Sequence, residues 1–373
     1  MRSILSLTIS LAVATAACLP AADPEPKPLE IGQAAPAFRL PGVDGKTHTL
    51  DDFKDAKALV IVFTCNHCPT AQLYEERLKT LAGSLKDKGG ALVAISPNDP
   101  QAVRLDELGY TDLGDSFEDM KVRAKDRDFN FPYLYDGETQ EVSRAYGPAA
   151  TPHAYVFDAE RKLRYTGRID DSEKGNAIKA QELRDALDAV LAGKPVPKEK
   201  TRTFGCSIKW SSKRPAAGAK PKESDMKLEL LGLPGLKKLK ANQAEKPSDG
   251  KVRLLNVWAT SCGPCVKEFP ELVTMQRMYG HRAFELVTLS LDPPDHKEKV
   301  LEFLKKQGAA GTHYQWESDN KDPVLDNLVA EWSGAIPLTL LIAPGGKLLL
   351  RKEGEIDPLE VRRAIVKAIP DDR

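Results

Sequence analysis

The chain has 373 residues, 41% hydrophobic and 29% charged, an ordinary mix for soluble globular domains and enough apolar material for two cores. Its 54 Lys+Arg are matched by 54 Asp+Glu, so no global charge draws it to nucleic acid or to an anionic membrane. Composition thus excludes a nucleic-acid-binding protein and long disorder, and leaves the chemistry to six cysteines.

Arg2 precedes an apolar run from Ile4 to Val13 and small residues through Ala17, which predicts a secretory signal over residues 1–22. The run is well short of the ~20 apolar residues needed to cross a bilayer, and Pro20, Pro24, Pro26 and Pro28 stop any helix that follows. Two cleavage readings stand. Cutting at Ala21 or Ala22 releases a soluble protein, and cutting before Cys18 makes a lipoprotein. Thr15 occupies the position where lipoprotein signals usually carry Leu, which favours the soluble form. Either way the expectation is an exported protein, periplasmic or secreted, in an oxidising compartment, with no transmembrane span in the mature chain.

The remainder divides at residues 193–225, which hold Pro195, Pro197, Pro215 and Pro221 and an Ala-Ala-Gly-Ala run at 216–219. From Lys194 to Glu223 there are nine Lys/Arg and two Asp/Glu, the composition of a solvated basic linker. The flanking halves, 30–192 and 226–372, repeat one order of signals. Each has an apolar strand running into Cys-x-x-Cys, at Ala58–Phe63 and Arg253–Trp258. An amphipathic helix follows, marked by Ala71, Tyr74, Leu78, Leu81 and Leu85 in the first half and by Val266, Phe269 and Val273 in the second. Then come a strand, an X-Pro, a hairpin and a closing helix, Ile178–Leu191 or Pro358–Ala368. The first half also carries a charged, Gly-containing insertion, 98–130, with a helix at Phe117–Asp128, placed to cover the first Cys-x-x-Cys.

This order resembles the thioredoxin fold over nearly all of the mature chain. Residues 227–372 look like the TlpA/ResA branch, on Asn256-Val-Trp-Ala-Thr-Ser-Cys-Gly-Pro-Cys-Val-Lys-Glu-Phe-Pro270 with Ile336-Pro337 downstream. Residues 30–206 look like the redoxin branch, the AhpC/TSA superfamily, in its Cys-Asn-His-Cys-Pro subgroup. The carrying stretches are Phe63-Thr-Cys-Asn-His-Cys-Pro69, Phe131-Pro-Tyr-Leu-Tyr-Asp136 and Ala150-Thr-Pro-His153, and Gly205-Cys-Ser-Ile-Lys-Trp210 resembles a segment trailing that subgroup. The resemblance implies an α/β fold of two thioredoxin-like domains, each a central mixed β-sheet flanked by helices. It implies a thiol-disulfide oxidoreductase that exchanges with protein thiols and disulfides and draws on an unidentified electron donor. No cofactor is expected beyond two redox-active disulfides, Cys65–Cys68 and Cys262–Cys265.

A helix start favours a thiolate through its unpaired N–H groups and partial positive charge. On this reading both sulfurs of each pair lie in the first helical turn, Cys65 and Cys262 attack, and Cys68 and Cys265 resolve. His67 and Pro264 tune the two pairs, since a histidine can donate to a neighbouring thiolate and a proline cannot. By resemblance Thr151-Pro152 and Ile336-Pro337 are the X-Pro pairs, usually cis, that face the cysteines and meet an extended substrate. Glu268 is either a proton acceptor for Cys265 or a helix-surface residue, and Asn256 stands where thioredoxin carries a buried acid.

Two other functions compete. Peroxiredoxins carry Pro-x-x-x-Thr/Ser-x-x-Cys, but Val62 and Ala58 stand at those positions before Cys65, and Cys65 and Ile61 before Cys68. A copper or zinc carrier would use Cys65, Cys68, His67 and His153. Cys206 is the odd thiol and reads as a free buried cysteine, a third resolving thiol or a mixed-disulfide partner. His48, His281, His296 and His313 read as turn or surface residues.

Overall fold

The computed structural model describes residues 26–214, 226–242 and 250–371. The expected signal segment, Cys18 within it, lies outside the described residues.

After a small antiparallel pair, β1 (Arg39–Pro41) and β2 (Thr47–Thr49), the first half builds a five-stranded sheet from β3 (Ala58–Phe63), β4 (Gly90–Ser96), β5 (Tyr133–Tyr135), β6 (His153–Phe157) and β7 (Leu163–Gly167), in the order β5-β4-β3-β6-β7. β3 runs parallel to β4 and antiparallel to β6. It is the central strand, and all six of its side chains are buried, as an unbroken apolar run between two covered faces requires. On one face lies α1 (Pro69–Lys86), whose Ala71, Tyr74, Leu78, Leu81 and Leu85 are buried. Helices α2 (Phe117–Asp126), α3 (Glu141–Tyr146) and α4 (Glu182–Leu191) complete the half. The closing helix therefore starts four residues later than its apolar pattern suggests.

The second half repeats the plan with one added strand. Its order is β13-β12-β9-β10-β11-β8, from β8 (Met226–Leu231), β9 (Val252–Trp258), β10 (Phe284–Ser290), β11 (Gly311–Trp316), β12 (Leu338–Ile342) and β13 (Leu348–Glu353). Again the central strand, β9, is parallel to the next in sequence and antiparallel to the late hairpin. The helices are α5 (Leu233–Ala241), α6 (Gly263–Tyr279), α7 (Lys297–Gln307), α8 (Asp322–Leu328) and α9 (Pro358–Ala368).

The stretch read as a solvated linker is corrected where it is described. Residues 199–213 strap the first half. Lys200 bridges Thr166 and Cys206 bridges Thr151, the Lys209 amide donates to Asn98 Oδ1 at 2.9 Å, and Ile208 is buried. Composition misjudged this segment because its lysines and arginines find carboxylates here: Lys209 pairs with Glu107 at 2.6 Å, and Arg214 pairs with Asp99.

The insertion joins the halves. Leu105 and Leu108 pack on the second core. Tyr279, at the end of α6, donates from its hydroxyl to Thr111 O at 2.9 Å, and Arg282 donates to Gly109 O at 2.8 Å. Arg363 of α9 pairs with Asp112 and Asp126.

Candidate active site

In the second half, the helix begins immediately after Cys262. Cys262 is the N-cap of α6, and its Sγ accepts from the Cys265 amide at 3.2 Å. Pro264 lies in the first turn, where a missing N–H costs nothing. A disulfide joins Cys262 to Cys265. Cys262 is half-buried and Cys265 fully buried, with Ser261, Gly263 and Pro264 exposed around them. Cys262 Sγ lies 3.6 Å from Ile336 O, and the Ile336-Pro337 bond is cis.

Behind this pair lies a buried polar group. Asn256 donates through Nδ2 to Glu268 Oε1 at 2.9 Å and to Thr339 Oγ1 at 3.0 Å, and the Ile356 amide donates to Glu268 Oε2 at 3.0 Å. Burial raises the Glu268 carboxyl above its ordinary value, against these hydrogen bonds. Glu268 is therefore interior, not on the helix surface, and it restores the buried acid that position 256 lacks.

The first half places its cysteines differently. Here α1 begins after the second cysteine: Cys68 is the N-cap, its Sγ accepts from the Ala71 amide at 3.4 Å, and Pro69 opens the helix. Strand register gives the same answer. Phe63 faces His153 and Val257 faces Leu338, each partner directly following its proline. Five residues on from Phe63 is Cys68, and five on from Val257 is Cys262. Cys68 thus matches Cys262, Ala71 stands where Cys265 does, and Cys65 lies three residues before the cap. The expectation that Cys65 sits in the first helical turn is corrected. The signal was Pro69, which belongs at the first helical position and makes the residue before it the cap.

Cys65 and Cys68 are thiols here, 3% and 0% exposed. Burial, the Cys68 thiol and the Asp115 charge push Cys65 well above its ordinary value. Cys68 goes the other way. Burial opposes ionisation, but hydrogen bonds from the Cys206 and Cys65 thiols and the Ala71 amide, with the His67 charge, hold it well below. The Thr151-Pro152 bond is cis, Cys65 Sγ is 3.3 Å from Thr151 Oγ1, and Cys68 Sγ donates to Thr151 O at 3.2 Å.

Asp115, from the insertion, is the residue that sequence reading missed. It is fully buried and accepts from the Asn66 and His67 amides, both at 3.0 Å, from Asn98 Nδ2 at 2.7 Å and from His67 Nδ1 at 2.5 Å. Burial lowers the affinity of His67 for a proton, but the Asp115 carboxylate outweighs it and raises His67. His67 Nδ1 is also 3.6 Å from Cys65 Sγ, so its closer bond is to the acid rather than to a thiolate.

Cys65, His67 and Asp115 offer metal-ligating atoms within 4.8 Å of one another, but His153, which the rival carrier reading required, is not among them. His153 accepts from the Ala149 amide at 3.0 Å, and its Nε2 bonds Thr166 Oγ1 at 2.9 Å. With both ring nitrogens engaged, burial lowers it to about 4. His313 is also corrected: it is buried on β11 with Nδ1 3.0 Å from Thr288 Oγ1.

A family model described as AhpC/TSA matches residues 31–166 and again 230–351. The thiol-disulfide oxidoreductase ResA of Bacillus subtilis is 32% identical over 100 residues, 27% of this chain and 51% of that protein. The thiol:disulfide interchange protein HelX of Rhodobacter capsulatus is 29% identical over 121 residues, 30% of this chain and 62% of that protein. The chain thus spans between half and two thirds of the length of these curated relatives. Among solved structures, a hypothetical protein from Sinorhizobium meliloti 1021 is 38% identical with a TM-score of 0.45, over 50% of this chain and 98% of that one. An uncharacterised conserved protein from Geobacillus kaustophilus is 43% identical with a TM-score of 0.44, over 49% and 93%.

Proposed function

Because the chain belongs to the AhpC/TSA family, matched once in each half, we propose that it is an exported thiol-disulfide oxidoreductase with two unlike cysteine centres. The observation that carries the reading is Cys262: a half-buried sulfur capping α6, paired with buried Cys265 and facing Ile336 O. ResA and HelX are named as thiol-disulfide exchangers, which supports the same class.

The chemistry follows from the placement. In the reduced pair the helix start favours the Cys262 thiolate. It attacks a disulfide of a protein substrate, forming a mixed disulfide and releasing one substrate thiolate. Cys265 then attacks Cys262 Sγ, closing the internal disulfide and releasing the second thiolate, so two electrons pass to the substrate. Glu268, one turn along the helix from Cys265 and raised by burial, takes the Cys265 proton. An electron donor returns the pair to dithiol. The first centre also cycles between dithiol and disulfide, at Cys65 and Cys68 with Cys68 as the activated sulfur, but both cysteines are buried away from a protein substrate.

Export rests on Arg2 and the apolar run after it. Among the described residues no helix is long and apolar enough to cross a membrane.

The test is turnover by the full chain. With dithiothreitol as reductant, it accelerates reduction of insulin disulfides and turns over hydroperoxide slowly. A hydroperoxide rate equal to the insulin rate and lost in Cys68→Ser overturns this reading in favour of a peroxidase.

A further inference from the structure

Three cysteines converge on Thr151, and one of them, Cys206, is only half-buried. Cys65 and Cys68 touch its hydroxyl and its carbonyl. Cys206 pairs with its backbone in both directions: Thr151 N donates to Cys206 O at 2.9 Å and Cys206 N to Thr151 O at 3.1 Å. Cys206 packs against the buried pair, Cys65 and Cys68. Cys206 is half-buried, between exposed Gly205 and Ser207. An open groove of about 580 Å³, lined by Ala149, Ala150, Arg202 and Phe204, runs up to Gly205.

The segment is held there. Gly205 has φ +138°, and a Cβ at this position would lie 2.0 Å from Thr151 O, so glycine permits the close approach. Two residues past Cys206, Ile208 is buried, and the Lys209 amide is bonded to Asn98. In the second half no described segment makes the corresponding bridge to Ile336. There the active cysteine itself is half-buried.

We propose that Cys206 is the built-in exchange partner of Cys68 and the port through which the buried pair reacts with outside thiols. This rests on the reading that Cys65 and Cys68 undergo dithiol–disulfide exchange. From the Cys65–Cys68 disulfide, the Cys206 thiolate attacks Cys68 Sγ. The Cys68–Cys206 bond forms, the Cys65–Cys68 bond breaks, and Cys65 leaves as a thiolate that takes up the proton Cys206 released. No net electron transfer occurs in this step. The disulfide now ends on half-buried Cys206, where an external dithiol reduces it. The dithiol leaves oxidised, and two electrons and two protons restore the Cys68 and Cys206 thiols. In the reduced state the neighbours shift in opposite directions: Cys68 raises the Cys206 thiol, and Cys206 helps lower Cys68.

The full chain, equilibrated in glutathione redox buffer, acid-quenched, alkylated and mapped without reduction, tests this. Wild type should give both Cys65–Cys68 and Cys68–Cys206 peptides. Cys65→Ser should give Cys68–Cys206 as the main link at this centre. Cys206→Ser should give Cys65–Cys68 alone, reduced by dithiothreitol at least about tenfold more slowly than in wild type. If Cys65–Cys68 forms but Cys65→Ser accumulates glutathione on Cys68 with Cys206 free, the proposal is overturned and the exchange reading stands. If wild type forms no disulfide at Cys65 or Cys68, the exchange reading of this centre falls and takes the proposal with it. Should Cys65→Ser fail to fold, an unchanged reduction rate in Cys206→Ser overturns the proposal by itself.

Discussion

The two halves put the same spacing, Cys-x-x-Cys, after the central strand of two corresponding sheets and obtain different sites. In the second half the helix starts after the first cysteine, and in the first half it starts after the second. The polar groups behind each site differ to match. Asn256, Glu268 and Thr339 are linked by hydrogen bonds behind the Cys262 pair. The positions matched by register in the first half are Val62, Tyr74 and Ala154. Tyr74 donates instead to Asp170 at 3.1 Å. The first site takes its charge from the insertion, through Asp115, and its third sulfur from the strap, through Cys206. A three-residue slip of the motif along one helix start thus turns an open site with an interior acid into a closed one whose acid comes from above.

This difference predicts that the open site does the work on protein substrates. Cys262→Ser should lower insulin-disulfide turnover by at least about a thousandfold, roughly 4 kcal/mol on the barrier. Cys68→Ser should change it less than about twofold. Equal losses in the two variants would break the comparison, because the buried centre would then reach a protein as easily as the open one.

The second-largest effect concerns the ion pair confined to the first site. Asp115 and His67 are both buried, and removing one charge of such a pair strands the other. Asp115→Asn should therefore destabilise the protein by about 3 kcal/mol, read as a fall in the urea midpoint. It should also lower the Cys65 thiol, since the Asp115 charge is one cause that raises it. A variant as stable as wild type would show that Asp115 acts through its neutral hydrogen bonds alone.

The repeated fold was legible because its signals are local: the apolar strands, the face set by Tyr74, Leu78, Leu81 and Leu85, and the two X-Pro hairpins. Within the motif the four cysteines could be named from their spacing, whereas Glu268 stood open between a proton acceptor and a helix-surface residue until the fold buried it. What arrives from far along the chain was not legible. Asp115 is separated from His67 by 48 residues and Cys206 from Thr151 by 55; no periodicity connects them, and Cys206 could be read only as one of three alternatives. His153 follows its proline in sequence, yet on β6 its ring is bonded to Ala149 and Thr166, away from the cysteines. The helix slip was readable from Pro69 but was overridden by the symmetry of the two motifs.

A smaller effect tests whether the halves share one acid sensitivity. His153 in the first and His313 in the second are each buried and lowered to about 4. A lowered histidine is neutral in the fold while the unfolded chain, near 6.5, takes up a proton. Stability is thus present above 6.5 and is lost as pH falls toward 4. Each should cost about 2 kcal/mol between pH 7 and pH 5. His153→Gln should flatten this dependence for the first half and leave the second unchanged, as followed by urea unfolding at each pH. A pH dependence identical in wild type and variant would place the acid sensitivity elsewhere.

The smallest effect isolates the interior acid of the second site. Glutamine at position 268 keeps one oxygen for the two N–H groups, of Asn256 and Ile356, that now share the carboxylate. Glu268→Gln should therefore lose one hydrogen bond, about 1 kcal/mol of stability. Its sharper consequence is in the pH profile. Burial raises Glu268, so the fold binds this proton more tightly than the unfolded chain does, and the contribution fades as pH rises through the folded value. Wild-type insulin reduction should show a limb above the usual carboxylate range where Glu268 ionises and becomes able to accept the Cys265 proton. In Glu268→Gln that limb should disappear while Cys262 still forms its mixed disulfide. An unchanged profile would remove Glu268 from proton transfer and leave it as the hydrogen-bond partner of Asn256, making the two sites more alike in chemistry than in structure.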